Sequence, residues 1–241
     1  MIKYIDSHCH VPAQPYTGAV GAIFNATRPN DWSRVIAACN TALHRWGAIG
    51  VHPWYVAGLP ADWIANMETE LAQNTDLMIG EVGLDSHHPM FRTQVDVFCA
   101  QLDLAARLSR TVHVHCVGAW DELMSILKSR GRANLPPCIL MHGYSGPADQ
   151  IARFADKYNA YFSYGDRALN LARGRDRIRH TPLNRLLVES DGDSPMAVVD
   201  TVARIAELLS MDIVELADII YSNTIRMIKH GQITQNKITV G

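Results

Sequence analysis

Short runs of branched apolar residues alternate along this chain with longer amphipathic segments, and no polar or low-complexity linker separates them. Short continuous apolar runs are typical of parallel strands that are buried on both faces. Strands that alternate with helices in this way indicate repeated βα units. We predict eight strands, at Lys3–Ser7, Gly21–Asn25, Trp46–Gly50, Leu77–Gly80, Thr111–His115, Cys138–Met141, Ala160–Tyr164 and Leu186–Glu189.

The segments between the later strands carry apolar residues at helical spacing. We predict helices at Phe91–Ser109, Trp120–Lys128, Ala148–Lys157, Met196–Leu209 and Ile213–Ile228. The stretch between Val11 and Val20 contains two prolines and a glycine, which disfavour a helix. The pattern therefore predicts an α/β fold, a TIM-type (β/α)8 barrel with an abbreviated first βα unit, built by residues 1–241 as a single domain.

Composition narrows the class of protein. The 241 residues are 48% hydrophobic, enough for a large core, and the net charge of −2 argues against a large basic face for nonspecific DNA binding. The five cysteines are scattered and never form a C-x-x-C pair, so we expect reduced thiols. Neither a signal peptide nor a membrane-spanning stretch is evident, and we expect a cytoplasmic protein without membrane association. Nothing in the sequence points to a protein partner or an organic cofactor.

Three polar residues alternate at the first predicted strand. Asp6, His8 and His10 are two positions apart, so an extended chain directs all three side chains to one face. Catalytic groups of a barrel gather at the carboxyl ends of its strands. His8 and His10 are therefore predicted metal ligands, and Asp6 is a predicted supporter or further ligand. The alternative is a pair of ordinary surface histidines.

Other strands end in the same kinds of side chain. Glu81, His115, His142 and Asp191 close or follow four of the predicted strands, so all would face one mouth of the barrel. Imidazole nitrogens mixed with carboxylate oxygens suit zinc, manganese or iron, and a bridging carboxylate holds two ions in many hydrolases. We expect Glu81 to be that bridge. Asp191 is the predicted group that orients the attacking water and accepts its proton.

Taken in order, these motifs make the chain resemble the TatD family of hydrolases, and the resemblance covers nearly the whole sequence. The matching motifs are Asp6-Ser7-His8-Cys9-His10, Gly50-Val51-His52-Pro53, Gly80-Glu81-Val82-Gly83-Leu84-Asp85, His115, His142-Gly143-Tyr144-Ser145-Gly146 and Glu189-Ser190-Asp191.

The resemblance implies a TIM barrel of the amidohydrolase superfamily with two divalent metal ions, which would be zinc, manganese or magnesium. It also implies hydrolysis of ester bonds, with deoxyribonuclease activity known among relatives. The metal site implied by the resemblance consists of His8, His10, Glu81, His115, His142 and Asp191. His52 would line that site and contribute to catalysis beside Glu81 and Asp191. Much of the wider superfamily has a carboxylated lysine where this chain has Glu81.

The chain departs from the family pattern in two places. The family often has an arginine two residues after the ligand histidine, whereas this chain has Val117, so one cation for a substrate phosphate is missing. The short region after His10 also changes one wall of the predicted mouth, where loops set specificity.

The remaining polar features have less specific interpretations. We expect His113 to be a hydrogen-bonded core histidine, and His87 and His88 to lie in a solvated loop. The arginines between 167 and 179 either steer phosphate or form a solvated helix face, which is the more common role of a charge run. Ser145 lacks the glycine pattern of a nucleophile elbow, so we expect it to support the His142 loop.

Three functions fit this sequence. The first is a deoxyribonuclease-like phosphodiesterase that acts on DNA ends or small phosphodiesters through a metal-activated water. The second is an amidohydrolase that uses the same water on a lactone, amide or amine, and the valine at position 117 keeps this open. The third is an inactive metal-binding interaction protein, which would bind metal fully without turnover.

Overall fold

Eight parallel strands lie side by side in chain order in the computed structural model, which describes residues 3–12, 19–192 and 196–233. The first strand closes the sheet against the last, because the Ser7 hydroxyl donates a 2.7 Å hydrogen bond to the Val188 carbonyl. The sheet therefore curls into a barrel, as the sequence predicted. The strands are β1 (Ile5–Cys9), β2 (Gly21–Asn25), β3 (Arg45–Ile49), β4 (Met78–Asp85), β5 (Val112–Val117), β6 (Ile139–Met141), β7 (Ala160–Tyr164) and β8 (Leu186–Val188).

Helices cover the outside of the barrel between the strands. The five predicted helices are confirmed within a few residues at their ends, and four others were not predicted. The helices are α1 (Trp32–Cys39), α2 (Trp63–Gln73), α3 (Phe91–Arg107), α4 (Trp120–Ser129), α5 (Ile151–Tyr158), α6 (Asp166–Leu169), α7 (Ala172–His180), α8 (Met196–Leu209) and α9 (Ile213–Ile233). No helix in the described part of the chain is long and apolar enough to cross a membrane.

A small apolar cluster fills one end of the barrel and thereby decides which end is open. Most of the strands contribute one buried side chain each, and Met227 and Ile228 of α9 pack against them. The strand residues are Ile23, Ala48, Met78, Leu140, Tyr161 and Leu187, and Cys138 directly precedes β6. Except for Ala48, these lie before, at the beginning or in the middle of their strands, so the cluster fills the amino-terminal half of the barrel. The polar residues at the carboxyl ends are left facing the open mouth.

Three strands extend further than predicted. The sequence placed His8 and Glu81 beyond strand ends, whereas both lie inside strands, and β5 continues two residues past His115. Parallel pairing continues because backbone partners remain available, for example Gly83 with His115. The pairing register shifts between Ile79 and Val82, which flank Glu81. Pleat alternation alone therefore does not set the direction of these side chains.

The predicted abbreviated first βα unit falls between β1 and β2. Residues 13–18 of this connection lie outside the described residues, and the prediction of an interrupted helix there is not tested. The described flanks, His10 to Pro12 and Ala19 to Val20, are not helical.

Candidate metal centre

Glu81 occupies the centre of the barrel mouth, with five histidines around its carboxylate. Its Oε2 atom lies 3.4 Å from Nε2 of His8 and 3.6 Å from Nε2 of His10. Its Oε1 atom lies 3.0 Å from Nδ1 of His115 and 2.8 Å from Nε2 of His142. The two oxygens of one buried carboxylate therefore face two different groups of imidazoles.

The first group comes from β1 and the residue that follows it. His8 is fully buried, and burial, followed by the nearby His142, lowers its pKa well below the ordinary value. Its ring is therefore neutral at physiological pH and keeps a lone pair for a metal. Nδ1 of His10 lies 3.0 Å from the carbonyl of Asn25, which can accept its proton and leave Nε2 directed at Glu81.

Asp191 follows β8 and meets the same group. The backbone N–H of Asp191 donates to the His8 carbonyl at 3.1 Å, and its Oδ1 lies 3.9 Å from Nε2 of His8. Burial of the carboxyl raises the pKa of Asp191 to about 6, although half of the side chain is exposed; the Glu189 and Glu81 charges add to the rise, and His142 opposes it. A cluster of carboxylates that disfavours further negative charge is a site that favours a cation.

His142 follows β6 and lies between the carboxylates. Burial works to lower its pKa, but the charge of Glu81, whose carboxylate is hydrogen-bonded to the ring, and the neighbouring carboxylate of Glu189 outweigh burial, so the pKa is raised well above the ordinary value. Conversely, burial works to raise the pKa of Glu81, and His142 and His52 outweigh it and lower that pKa well below its usual range. The electrostatic field around His142 therefore stabilises positive charge beside Glu81.

His115 and His52 both lie beside Oε1 of Glu81, as His142 does. Nε2 of His115 lies 3.9 Å from the carboxylate of Asp85, an arrangement in which an outer carboxylate orients a ligand histidine. In His52, Nδ1 accepts the backbone N–H of Trp54 at 3.2 Å, so the ring proton belongs on Nε2, which lies 3.2 Å from Oε1 of Glu81. His52 is thus placed to donate its Nε2 proton to Glu81, so this nitrogen has no lone pair to offer to a metal ion.

These donors fit a divalent metal. The ligand atoms of His8, His10 and Asp191 lie within 4.8 Å of one another, and the same holds for His8, Glu81 and His142. The same limit holds for His52, Glu81 and His115. Both ring nitrogens of His8 and Nδ1 of His142 are buried without a hydrogen-bond partner among the described residues. Buried polar atoms without partners are rare in proteins, and a bound cation would satisfy these.

The structure thus brings together all seven residues that the sequence assigned to the site, while their roles as ligands stay predictions. Asp6 is placed differently: it is in none of the metal-capable groups formed by the described residues. Its Oδ1 instead accepts the backbone N–H groups of Ser190 at 3.0 Å and His8 at 3.3 Å. A register shift after Asp6 breaks the alternation that predicted a shared face.

Three secondary predictions have mixed outcomes. His113 is buried as expected, but neither ring nitrogen has a hydrogen-bond partner in the described chain, and burial lowers its pKa to about 3. His88 is not a free loop side chain, because it stacks on Trp54 at 4.6 Å between ring centroids. Ser145 supports its loop by donating to the Cys116 carbonyl at 3.4 Å.

The arginines between 167 and 179 contribute nothing to the cleft that the described residues line. Arg167, Arg173 and Arg179 are exposed, and Arg177 donates to the carbonyl of Gly146. Arg175 likewise donates to the carbonyl of Leu169 at 2.9 Å. A solvated helix face with these structural contacts is therefore the interpretation that the geometry favours over phosphate steering.

Sequence reasoning gave no individual role to four residues near the site. Asp85 and Glu189 were noted only as parts of motifs, although Asp85 ends β4 and Glu189 directly follows β8, which is the signal that could have found them. Trp54 and Tyr55 follow His52 on the turn Pro53–Tyr55 and line the same cleft, of about 470 Å³, as Glu81. Their position beside Glu81 depends on contacts between segments that are far apart in the sequence.

The sequence model described as TatD-related DNase matches residues 5–229. The chain belongs to the TatD-related DNase family. Within the family it is 29% identical over 213 residues to a protein named uncharacterized metal-dependent hydrolase YjjV of Escherichia coli K12, covering 80% of this chain and 81% of the relative.

Other TatD relatives have more specific names. The chain is 28% identical over 196 residues to the 3′-5′ ssDNA/RNA exonuclease TatD of Enterobacter lignolyticus, covering 78% of this chain and 74% of the relative. The crystal structure of YjjV superposes with a TM-score of 0.83 at 26% identity, covering 92% of this chain and 96% of the other. The TatD barrel is therefore shared over nearly the full length of both proteins.

Proposed function

We propose that this chain is a divalent-metal-dependent phosphodiesterase that uses two metal ions, and that it acts on nucleic acid ends or small phosphodiesters. One observation carries the proposal: Glu81 directs Oε2 toward His8 and His10 and Oε1 toward His115 and His142. A carboxylate shared in this way is suited to bridge two ions. The name of the Enterobacter relative, an exonuclease of single-stranded DNA and RNA, supports a phosphodiester substrate.

Each side chain has a distinct task in this proposal. His8, His10 and Asp191 would hold one ion, and His115 and His142 the other, with Glu81 between them. Such ions, zinc, manganese or magnesium, supply a water of lowered pKa and polarise the phosphoryl oxygen. Asp191 is the half-exposed carboxylate at the edge of the cleft, where it can orient an incoming water and accept its proton. His52 donates to Glu81 and keeps that carboxylate in position.

The wider context is part of the same proposal. A barrel with histidines and carboxylates at its mouth supports membership of the amidohydrolase superfamily. The five cysteines are all free thiols in the described chain, which supports a reducing compartment such as the cytoplasm.

The test measures metal content and hydrolysis together. Purified protein is analysed for bound metals, and single-stranded DNA and bis-nitrophenyl phosphate are assayed after addition of Mg²⁺, Mn²⁺ or Zn²⁺. We expect Glu81→Gln to lose bound metal and to lower the rate at least about 100-fold, beyond the usual cost of losing an outer partner. The matched variant Glu122→Gln, on an exposed face of α4, should change neither.

Two outcomes would contradict the proposal in different ways. Stoichiometric metal without phosphodiester cleavage would retain the metal site and transfer the activity to lactones, amides or amines. Absence of bound metal under every condition would overturn the metal centre itself.

A further inference from the structure

Two aromatic side chains form one wall of the cleft beside Glu81. Trp54 is 50% exposed and Tyr55 is 36% exposed, both on the turn Pro53–Tyr55. The other large hydrophobic side chains exposed in the described chain are aliphatic or methionine, and none of them lines this cleft. Contact of an indole ring with water is unfavourable because the ring is mostly apolar. A flat aromatic surface can instead bind a planar ligand by stacking.

Trp54 is held in a single orientation by three contacts, one at its backbone, one at its indole N–H and one on a face of its ring. Its backbone N–H donates to His52, and its indole Nε1 donates to Oδ2 of Asp85 at 2.7 Å. The His88 ring covers one indole face, with an interplanar angle of 19°. Trp54 lines the cleft, whereas His88 does not. A flat ring that is already fixed loses little conformational entropy on binding.

The position of Trp54 relative to the metal centre suits one nucleotide. Its ring centroid lies 4.9 Å from that of His52 and 6.3 Å from that of His115, whose Nδ1 faces Glu81. A base stacked on Trp54 would thus be close enough to Glu81 for its own phosphodiester to reach the centre.

Charge at the same wall complements a phosphate. The guanidinium of Arg28 lies 5.1 Å above the Tyr55 ring and pairs with Asp31 at 3.3 Å, with half of the Arg28 side chain exposed. Arg34, the other cation in the described lining, is occupied by the Val11 carbonyl at 2.7 Å. Arg28 is therefore the cation best placed for a neighbouring phosphate.

From these contacts we infer that Trp54 is a base-stacking platform and that the enzyme selects nucleotide esters over base-free phosphodiesters. This inference rests on the proposed function. An unstacked base offers a whole face to an aromatic ring, whereas a base-free ester has no such surface. Loss of one stacked base should weaken recognition about 5- to 150-fold.

The first experiment compares two chromogenic substrates that share a leaving group. One is the p-nitrophenyl ester of thymidine 5′-phosphate, and the other is methyl p-nitrophenyl phosphate, which has no base. We expect Trp54→Leu to lower kcat/KM for the thymidine ester about 5- to 150-fold more than for the methyl ester, whose own change measures the loss of the bond to Asp85. Trp54→Phe retains a stacking ring but not the bond to Asp85, so it should retain most of the preference.

A binding measurement gives a readout that is independent of turnover. Equilibrium dialysis of deoxyadenosine monophosphate is carried out with the metal-loaded wild type and both variants, with deoxyribose 5-phosphate as the base-free probe. The nucleotide should bind more weakly to Trp54→Leu but not to Trp54→Phe, and deoxyribose phosphate should bind all three alike. Tyr221→Leu, a half-buried tyrosine on α9, is the matched control and should behave as the wild type.

The outcomes separate the two claims. An equal fall on both esters in Trp54→Leu and Trp54→Phe would assign Trp54 to support of Asp85 and overturn the stacking role. Hydrolysis of both esters by the wild type without any preference for the base would also overturn it, while the proposed function stands. Failure to cleave either ester, with Trp54-dependent nucleotide binding intact, would overturn the phosphodiesterase and leave the nucleotide platform.

Discussion

The carboxylate of Glu189 lies 3.9 Å from Nδ1 of His142, on the side of the imidazole opposite Glu81. Glu189 is 1% exposed and accepts a hydrogen bond from the hydroxyl of Ser163, so its position is fixed from β7. Gly143, which has a φ of +50°, leaves room for it, because a Cβ there would lie 3.3 Å from Oε1 of Glu189. Glu189 is therefore placed to orient His142 from behind.

We predict that Glu189→Gln weakens metal binding and turnover about 10- to 100-fold while the fold persists. The negative charge of Glu189 orients His142 and makes it a stronger ligand, and the neutral amide lacks this charge. Competition with a chelator of known affinity measures the metal, and far-ultraviolet circular dichroism measures the fold. Glu215→Gln on the exposed start of α9 is the control. Unchanged metal affinity in Glu189→Gln would show that His142 does not depend on it.

Gly83 is required by the approach of β4 to β5. Its φ is +149°, and a Cβ would collide with the carbonyl oxygen of His115. We predict that Gly83→Ala lowers the free energy of unfolding by about 3–5 kcal/mol or prevents folding, as the most severe single substitutions do. Urea denaturation measures the loss. Gly131→Ala should stay within about 0.5 kcal/mol of the wild type, because no atom lies within 4 Å of its added Cβ.

The hydrogen bond from Ser7 to Val188 joins the two ends of the sheet and is buried. We predict that Ser7→Ala lowers the free energy of unfolding by about 1 kcal/mol, the usual net value of one such bond. The control is Ser222→Ala, an exposed serine on α9. Equal unfolding midpoints for the two variants would mean that barrel closure does not depend on the Ser7 hydroxyl.

Cys39 on α1 is a weakly reactive thiol, because burial raises its pKa to about 12. At pH 8 only about one thiol in ten thousand would then be the nucleophilic thiolate. We predict that iodoacetamide modifies native Cys39 very slowly at pH 8 and about tenfold faster with each added pH unit, as peptide mass spectrometry would show. Unfolding in urea should abolish the protection, and rapid labelling of the native protein would contradict the assignment.

The sequence by itself determined the barrel and the chemical character of its mouth. Periodicity of apolar residues is local information, and eight apolar runs separated by helical segments have few packing solutions. Because all strands are parallel, their carboxyl ends meet at one mouth of the barrel. The sequence alone therefore predicted that His8, Glu81 and His142 lie close together. The helical spacing of apolar residues was enough to predict that one face of each predicted helix is buried against the sheet.

Only the tertiary structure decided which nitrogen each histidine presents, where Asp6 is directed, and what surrounds Trp54. These depend on contacts between segments far apart in sequence, such as the bond from Trp54 to Asp85 and the approach of Glu189 to His142. The register shift beside Glu81 is likewise set by pairing with β5 and not by the residues of β4 alone. Side-chain direction at the mouth follows from how the strands pair and close, and a linear pattern does not contain that geometry.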